Sequence, residues 1–391
     1  MISVEEAYDL VLKNVPRLKK QFVHVSDALN RVLGEDIISS IDMPPFPQSA
    51  MDGYAVRFDK DLNSYKIVDE VPAGEADQRL ALKAGEAVRI FTGAPVPIGA
   101  NTVVRQEIVE RIGDVIFFKG FVEKGQNIRG QAEQIEQGDL LIHKGTQITP
   151  AIVGLLCMVG IEKVEVYASP RIAVVATGNE LVLPGNPLKH GEIYESNSLM
   201  LQAALKSNNF ITEKSDIIGD SYEETFKRIK SLLSKVDVLV LTGGISVGDY
   251  DYVGKALLSL GVNQVFYKVK QKPGKPLFFG TYKGKLVFAL PGNPAAALTG
   301  FYFYILPALH KMIGCFTIGL SFKEIPLSRN YTKKGDRAQF LKARYKNNQV
   351  EILGAQSSAM ITSFVEANAI VYIPSEYSEI EQGDLVKTYF I

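Results

Sequence analysis

The sequence of 391 residues predicts a multidomain protein of the α/β and β class, with a three-layer α/β domain, an inserted β-rich domain and a C-terminal domain similar to a small β-barrel. Three patterns predict this class. Strand, turn and helix signals alternate from residue 170 onward, short β-branched runs fill residues 41–142, and period-two alternation returns after Gly314. The length favours two to four domains, at a prior of about 150 residues per domain.

The N-terminal segment, residues 1–40, is predicted to be helical. Ser3 and Glu6 form a capping box before an apolar stretch of helical period, and a proline follows its end. A second, short helix is expected from a cap at Ser26 to a stop at Gly34. We expect this segment to form a linking domain together with residues 143–169.

Two β-rich regions flank the predicted α/β domain. The inserted domain covers residues 41–142 and the C-terminal domain residues 317–391. A hairpin is expected to turn at Gly113 and Asp114. Alternating or β-branched patterns predict further strands at 87–91, 102–105, 338–342, 349–353 and 369–373.

The predicted α/β domain covers residues 170–316. Buried strands are expected at 171–176 and 236–241, with a helix between them that begins at a Ser196 or Asn197 cap. In open α/β sheets, ligands bind outside the carboxyl ends of the strands. The residues that directly follow these strands are therefore the first place to look for a site.

The overall charge indicates which partners to exclude. Lys plus Arg (43) balances Asp plus Glu (43), so no basic field attracts nucleic acid or an anionic membrane. No signal-peptide pattern opens the chain, and the longest apolar stretch, residues 151–161, is too short and glycine-broken to span a bilayer. Cys157 and Cys315 lie in apolar surroundings, which favours buried, reduced thiols in a cytoplasmic protein.

The segment TGGISVGDYD, residues 242–251, follows a buried strand and has the composition of an anion site. Its glycines let backbone N–H groups approach an anion, and Ser246 adds a hydroxyl. Asp249 and Asp251 would repel that anion unless a divalent cation bridges them, so phosphate together with Mg²⁺ explains both residue types. A glycine-rich turn capped by aspartate explains the same residues without a ligand.

Two proline-stiffened turns follow. In KPGKP, residues 272–276, Lys272 and Lys275 would neutralise an oxyanion, although a solvated lysine pair is the default interpretation. In LPGNP, residues 290–294, a strand passes into a helix whose N-terminus is expected to offer free donors.

Three further segments carry polar residues at turns. A rigid proline run leads into a turn that presents Ser49 and Asp52, and a second proline-stiffened turn begins at Thr92. Thr177, after the first α/β strand, is placed to hold a phosphate, and Glu180 follows it. Surface turns and a helix-starting acid at Glu180 are the alternatives.

Taken together, the order and spacing of these segments resemble the molybdopterin molybdenumtransferase family, the MoeA and gephyrin E-domain proteins, across essentially the whole chain. The matching stretches are SAMDGYA (49–55), TGAPVPIGA (92–100), ATGNEL (176–181), TGGISVGDYD (242–251), KPGKP (272–276) and LPGNP (290–294). The resemblance implies Mg²⁺-dependent insertion of molybdate into adenylylated molybdopterin with release of AMP, and a molybdopterin-binding role for the α/β domain. It also implies a homodimer of four-domain subunits whose cleft is shared between the β insertion of one subunit and the α/β and C-terminal domains of the other.

The resemblance assigns roles residue by residue. It implies catalytic roles for Asp52, Glu180, Asp251 and Lys275, and Mg²⁺ ligands among Asp52, Glu180, Asp249 and Asp251. Binding of the pterin, the phosphates or molybdate is implied for Thr92, Thr177, Asp220, Gly243, Gly244, Ser246, Lys272, Pro291, Gly292, Asn293, Pro294, Ser357 and Ser358. The sequence departs from the family pattern at Asn101, Gln134 and Lys342, where Asp, Asp and Arg are usual.

Two other functions remain open from the sequence. A molybdopterin adenylyltransferase shares the α/β domain and its TGG turn but has no use for the SAMDGYA and TGAPVP segments. A non-catalytic scaffold is the other, because the gephyrin E domain also binds receptor tails. The partners expected are small-molecule substrates, a second copy of the chain and, as a candidate, the adenylyltransferase that supplies the substrate, with no nucleic acid and no membrane.

Overall fold

The computed structural model describes residues 1–74, 81–213, 216–245 and 252–391. Its contacts divide the chain into two compact units. The first unit consists of Met1–Gly34, Gly145–Thr149 and Lys163–Ile391, and the second of Glu35–Lys144 and Pro150–Glu162.

The second unit is built on a six-stranded sheet whose two faces are both covered. Alternate residues of one strand point to opposite faces, so Ala55 packs with Val88 and Ile90 on one side while Tyr54 packs with Tyr65 on the other. The hairpin expected at Gly113 and Asp114 is confirmed. In order across the sheet the strands are Thr102–Arg105, Gly53–Val56, Glu86–Ile90, Ser64–Val71, Val115–Phe118 and Val109–Ile112.

Shorter elements complete the second unit. Two antiparallel pairs join Gln48–Ser49 to Ile128–Arg129 and Ile37–Ile38 to Leu140–Ile142. The helices among its described residues are a 3-10 turn, Gln106–Ile108, and an α-helix, Pro150–Met158.

The first unit begins with the helix Val4–Asn14, where the Ser3 side chain accepts a hydrogen bond from the Glu6 N–H as the capping box predicts. The helix expected from Ser26 to Gly34 is wrong, because only a 3-10 turn, Val25–Asp27, forms there. Val32 and Leu33 are buried and pair their backbone with Gln147 and Val166 instead. Long-range pairing has overridden the local helix signal.

The α/β part of the first unit has one six-stranded sheet between helical layers. Parallel strands occupy four neighbouring positions, and an antiparallel hairpin completes the edge. In order across the sheet the strands are Asp216–Ile218, Ile172–Thr177, Val238–Thr242, Lys285–Leu290, Pro276–Tyr282 and Asn263–Lys268. The carboxyl ends of the four parallel strands therefore meet at one edge.

Helices cover both faces of this sheet. One apolar cluster joins a sheet face to Asn197–Ser207 and to the helical stretch Pro294–Gly300, Phe301–Ile305 and Leu306–Met312, the middle part of which is a π-helix. The other cluster joins the opposite face to Tyr222–Lys235 and Tyr252–Ser259. This is the predicted three-layer arrangement.

The C-terminal part of the first unit is a second sheet with its own apolar cluster. In order its strands are Gln271–Lys272, Ala338–Lys346, Ala369–Ile373, Leu385–Phe390 and Phe322–Pro326, with Gln349–Ile352 also paired to Ala338–Lys346. The remaining elements are the pairs Lys20–His24 with Lys163–Tyr167, Leu181–Val182 with Ile193–Tyr194 and Tyr331–Thr332 with Glu379–Ile380, and the helix Thr362–Glu366.

The architecture confirms the predicted fold class of α/β and β parts. Within the described residues, no helix combines the length and the apolarity that crossing a membrane requires. The cysteines differ from expectation: both are free, but Cys157 is exposed and Cys315 only half-buried. Cys157 lies on Pro150–Met158, a helix in which Leu156 is the buried residue, so its apolar sequence neighbours do not enclose it.

Candidate active site

A cavity of about 750 Å³ in the first unit lies at the carboxyl ends of the parallel strands. The cavity is lined by the turns that follow three neighbouring strands, which are Ile172–Thr177, Val238–Thr242 and Lys285–Leu290. The cavity brings together nine of the residues singled out from the sequence, which are Thr177, Glu180, Asp220, Gly243, Gly244, Pro291, Gly292, Asn293 and Pro294.

The glycines of the TGG turn allow the backbone of two strands to meet closely. Gly243 and Gly244 have φ values of +85° and +61°. A Cβ at Gly243 would lie 2.4 Å from the Thr177 carbonyl oxygen, and one at Gly244 would lie 2.7 Å from Thr177 Oγ1. Only glycine fits this backbone, so the cavity wall here consists of main chain rather than side chains.

Acidic groups line the same cavity. The Asp220 carboxylate accepts a hydrogen bond from the Asn179 N–H at 3.1 Å, while the Asn179 side chain accepts one from the Asp220 N–H at 2.8 Å. This reciprocal pair ties together the turns that follow two adjacent strands. Glu180 is exposed at the cavity. Carboxylate oxygens are suitable ligands for a hard cation such as Mg²⁺.

The sequence interpretation missed Glu195 and Asn197 as cavity residues. Glu195 is 1% exposed, and its carboxylate accepts hydrogen bonds from the Ser198 N–H at 2.7 Å and hydroxyl at 2.6 Å. Ser196 is the N-cap residue, as expected, but its side chain makes no capping hydrogen bond, and Glu195 supplies that bond instead. Asn197 instead donates to the Gly292 carbonyl at 2.7 Å, which joins this helix to the LPGNP turn. The only sequence signal was a run of polar residues before an apolar helix.

The turn KPGKP, residues 272–276, connects the C-terminal sheet to the α/β sheet, and we call it the lysine turn. Lys272 and Lys275 are exposed, whereas Pro273 and Gly274 between them are buried. Pro276, which follows directly, lines the cavity. The two ammonium groups are therefore available to an anion.

The segment 354–360, which we call the serine loop, contacts the LPGNP turn. Ser358 Oγ accepts a hydrogen bond from the Asn293 side chain at 2.9 Å. The Ser358 carbonyl accepts from the N–H groups of Ala295 and Ala296 at 3.1 and 3.3 Å. The expectation of free donors at this helix N-terminus is therefore wrong for these two amides, because the serine loop occupies them. Ser357 is exposed on the same loop.

The buried side chain of Lys342 holds the serine loop in place through hydrogen bonds. Its side chain is 2% exposed, and its ammonium group donates to the carbonyl oxygens of Ala355, Ser357 and Met360 at 3.0, 3.2 and 3.4 Å. Burial lowers the pKa of the Lys342 amine to about 8. This departure from the family pattern therefore has a structural role in the described contacts.

In the second unit, the SAMDGYA and TGAPVP segments meet. Asp52 Oδ1 accepts hydrogen bonds from the Thr92 N–H at 2.8 Å and the Thr92 hydroxyl at 2.9 Å. These bonds hold the pKa of Asp52 below its usual value, with the Arg89 guanidinium contributing. Ser49 is buried and donates to the Met51 carbonyl at 2.6 Å, so it shapes the turn rather than facing a ligand.

The other two departures also lie in the second unit. Asn101 bonds both to the Phe58 N–H at 2.7 Å and to the Phe58 carbonyl at 3.4 Å, which an amide can do and a carboxylate cannot. Gln134 is exposed, and its N–H donates to the Met43 carbonyl at 2.9 Å. Neighbouring Glu133 closes a turn by accepting from the Gly130 N–H at 2.8 Å.

Three of the residues singled out from the sequence, Ser246, Asp249 and Asp251, lie outside the described residues. Among the residues that are described, no group of three or more His, Cys, Asp and Glu side chains is placed to hold a metal ion. Glu180 and Asp220 are thus the described carboxylates of the predicted set that line the cavity.

Family models match nearly the whole chain. The MoeA N-terminal region (domain I and II) matches residues 2–160. A probable molybdopterin binding domain matches residues 173–311, and the MoeA C-terminal region (domain IV) matches residues 324–391. The first and last matches lie outside the part shared with single-domain adenylyltransferases, which disfavours that alternative.

Relatives match over nearly their whole length. The chain is 30% identical over 397 residues to a molybdopterin molybdenumtransferase of Staphylococcus epidermidis, covering 98% of this chain and 94% of the relative. It is 32% identical over 402 residues to that of Haemophilus influenzae, covering 99% and 98%. A crystal structure of a molybdopterin biosynthesis MoeA protein from Pyrococcus horikoshii aligns with a TM-score of 0.83 and 29% identity over 100% of both chains.

Proposed function

Because the chain belongs to the molybdopterin molybdenumtransferase family, we propose that it inserts molybdate into adenylylated molybdopterin in a Mg²⁺-dependent reaction that releases AMP. The chain is an enzyme of molybdenum cofactor biosynthesis. The observation that best supports the detailed reaction is the cavity of about 750 Å³, which is lined by main-chain turns, by carboxylates and by Pro276 of the lysine turn. Such a site suits a ligand that carries phosphates and receives an oxyanion.

The donor chemistry of the cavity suits Mg²⁺. This ion is usually held by one or two carboxylates and by phosphate oxygens of the substrate. Glu180 and Asp220 line the cavity and would supply oxygen ligands, and we assign further ligands to Asp249 and Asp251. When bound, Mg²⁺ would neutralise phosphate charge and favour departure of AMP.

The protein groups then have separate tasks. Thr177 and the TGG turn, Gly243 and Gly244, are assigned to the phosphates and pterin, because their close-packed backbone leaves the cavity wall open to an anion. Lys272 and Lys275 are assigned to molybdate, a dianion that needs point charges. Ser246, Ser357, Ser358 and the turn Pro291, Gly292, Asn293 and Pro294 are assigned to the same ligands.

We further propose a cytoplasmic homodimer with four domains per subunit, at 1–40 with 143–169, 41–142, 170–316 and 317–391. In the helix Pro150–Met158, Leu156 is buried while other apolar side chains remain wholly or partly exposed. Apolar surface of this kind is typical of interfaces between subunits. Asp52 and Thr92 of one subunit would complete the site of its partner, and the adenylyltransferase is the proposed source of the substrate.

The test is Mg²⁺-dependent release of AMP by Glu180→Gln. Because the substitution removes a charge from the cavity without changing side-chain shape, we expect the Mg²⁺ concentration for half-maximal rate to rise severalfold. Glu213→Gln, at an exposed carboxylate outside the cavity, is the matched control and should behave as wild type. Equal Mg²⁺ dependence in both variants would remove Glu180 from the metal site.

A further inference from the structure

A buried polar pair lies beneath the lysine turn. Gln271 and Tyr304 are both 0% exposed, and the Tyr304 hydroxyl donates a hydrogen bond to Gln271 Oε1. Tyr304 lies among aromatic and aliphatic side chains, in the apolar cluster that joins one face of the α/β sheet to the helix Asn197–Ser207. Burying an amide and a hydroxyl here is unfavourable unless both are satisfied, and the pair satisfies one group of each residue.

The remaining groups of the Gln271 side chain are directed at the lysine turn. Its Nε2 donates to the carbonyl oxygens of Pro273 at 3.1 Å and Gly274 at 3.2 Å. These are the two buried residues between the exposed lysines. Both amide hydrogens of Gln271 therefore fix the turn that carries Lys272 and Lys275.

The backbone of the turn has little freedom once this amide is in place. Gly274 has φ of +82°, and a Cβ there would lie 3.1 Å from Gln271 Nε2. The Gln271 carbonyl accepts from Arg337 at 3.3 Å, and its strand pairs with Ala338 and Gln339. The amide is thus anchored on a sheet, and the turn is anchored on the amide.

We propose that Gln271 is a positioning residue, whose hydrogen bonds to the lysine turn fix the Lys272 and Lys275 ammonium groups where the incoming molybdate binds. The inference rests on the proposed function, since it concerns how that site presents its cations. Neither Gln271 nor Tyr304 belongs to the motifs that the sequence singled out. The physical reason is preorganisation: flexible lysine side chains bind an oxyanion more tightly when the turn beneath them does not move.

The test separates positioning from stability with three variants. Gln271→Met removes both donors to the turn and leaves the Tyr304 hydroxyl buried without an acceptor. Tyr304→Phe keeps the donors to the turn and orphans Gln271 Oε1. The double variant removes the orphaned groups of the pair while the donors to the turn remain absent, so its stability should recover relative to Gln271→Met.

We expect the KM for molybdate to depend on whether Gln271 is present. We expect the urea midpoint to depend on whether a buried group of the pair has lost its hydrogen-bond partner. Gln271→Met and the double variant should both raise this KM about tenfold or more, because small displacements of binding groups have effects of up to about a hundredfold. The KM for adenylylated molybdopterin should change little. Tyr304→Phe should be less stable than wild type yet keep a KM for molybdate within a few-fold of it.

Recovery of the molybdate KM together with stability in the double variant would overturn the proposal, because the pair would then be purely structural. Lys275→Gln serves as the reference. If Lys275→Gln raises the molybdate KM and Gln271→Met does not, positioning by Gln271 is wrong while the proposed oxyanion role stands. If Lys275→Gln has no effect, the oxyanion role itself has failed.

Discussion

At the scale of single residues, Lys342 shows how burial changes an ionisable group. Three carbonyl oxygens of the serine loop surround its ammonium group, yet burial still lowers its pKa from 10.5 to about 8. Between these two pH values the unfolded chain retains a proton that the folded chain has released. The free energy of unfolding therefore rises with pH across this window.

Replacing Lys342 by methionine should abolish this contribution. We expect wild type to gain stability relative to Lys342→Met as the pH is raised from about 7.5 to about 9.5, because only wild type releases the buried proton. Urea unfolding of both proteins at the two pH values measures the difference. Parallel behaviour of the two proteins would mean that Lys342 keeps an ordinary pKa in the fold.

A second prediction at this scale concerns Lys275. Lys275→Gln should raise the KM for molybdate about tenfold or more, since a charge-assisted hydrogen bond contributes about 1.5–3 kcal/mol. Binding of adenylylated molybdopterin, measured by calorimetry, should weaken much less. Lys283→Gln removes an exposed charge at the other end of the same strand and is the control. Equal losses for both ligands in Lys275→Gln would count against a role in oxyanion binding.

Site residues were predictable from the sequence where a local pattern places them, as in the turns that directly follow buried strands. These turns placed Thr177 and the TGG glycines at one cavity, whereas Asp220, which also lines it, was named only through the family resemblance. Lys342 and Glu195 were not predictable as buried groups, because charged side chains are seldom fully buried unless they are paired. Their partners are backbone carbonyls of a distant loop for Lys342 and an adjacent helix start for Glu195.

At the scale of elements, strand ends and turns define the site. Gly53 illustrates how one strand depends on a missing side chain: a Cβ there would lie 2.1 Å from the Val104 carbonyl oxygen on the adjacent strand. That contact involves backbone, so no side-chain rotation relieves it. Gly53 follows Asp52 directly, so the same turn supports the Asp52 and Thr92 contact.

Gly53→Ala should destabilise the sheet of the second unit by about 3 kcal/mol or more, the upper range for overpacking. Hydrogen exchange should show the loss in strands Gly53–Val56 and Thr102–Arg105, while the α/β sheet of the first unit stays protected. Gly113→Ala, at a hairpin glycine where a Cβ meets nothing within 4 Å, is the control. It has positive φ of +63°, so a cost of about 1 kcal/mol is expected for backbone strain alone. Similar destabilisation by the two variants would refute the packing argument.

Element boundaries followed the sequence closely at the capped helix Val4–Asn14 and at the strand Ala369–Ile373, although all five residues of this strand are buried and do not alternate in exposure. The expected helix between Ser26 and Gly34 failed because Val32 and Leu33 find backbone partners far along the chain. The expectation that the N–H donors of Ala295 and Ala296 are free failed for the same reason, because their acceptor also lies far along the chain. Nothing local to LPGNP shows that a carbonyl from the serine loop occupies them.

At the scale of the whole molecule, the proposed homodimer predicts that two inactive variants complement each other. Asp52→Ala and Asp251→Ala chains, each inactive alone, should recover activity when mixed and allowed to exchange subunits. A hybrid dimer contains one site with both carboxylates intact, so random exchange should give up to about a quarter of wild-type activity. No recovery after demonstrated exchange would argue that each site is built within a single chain.

The central claim is that this chain couples molybdate to the release of AMP. The most direct measurement is AMP formation from adenylylated molybdopterin by the purified protein, with Mg²⁺ and molybdate each present or omitted. We predict stoichiometric AMP only when both are present, with little release when either is omitted. AMP release at the same rate without molybdate, or no release with both present, would contradict the account.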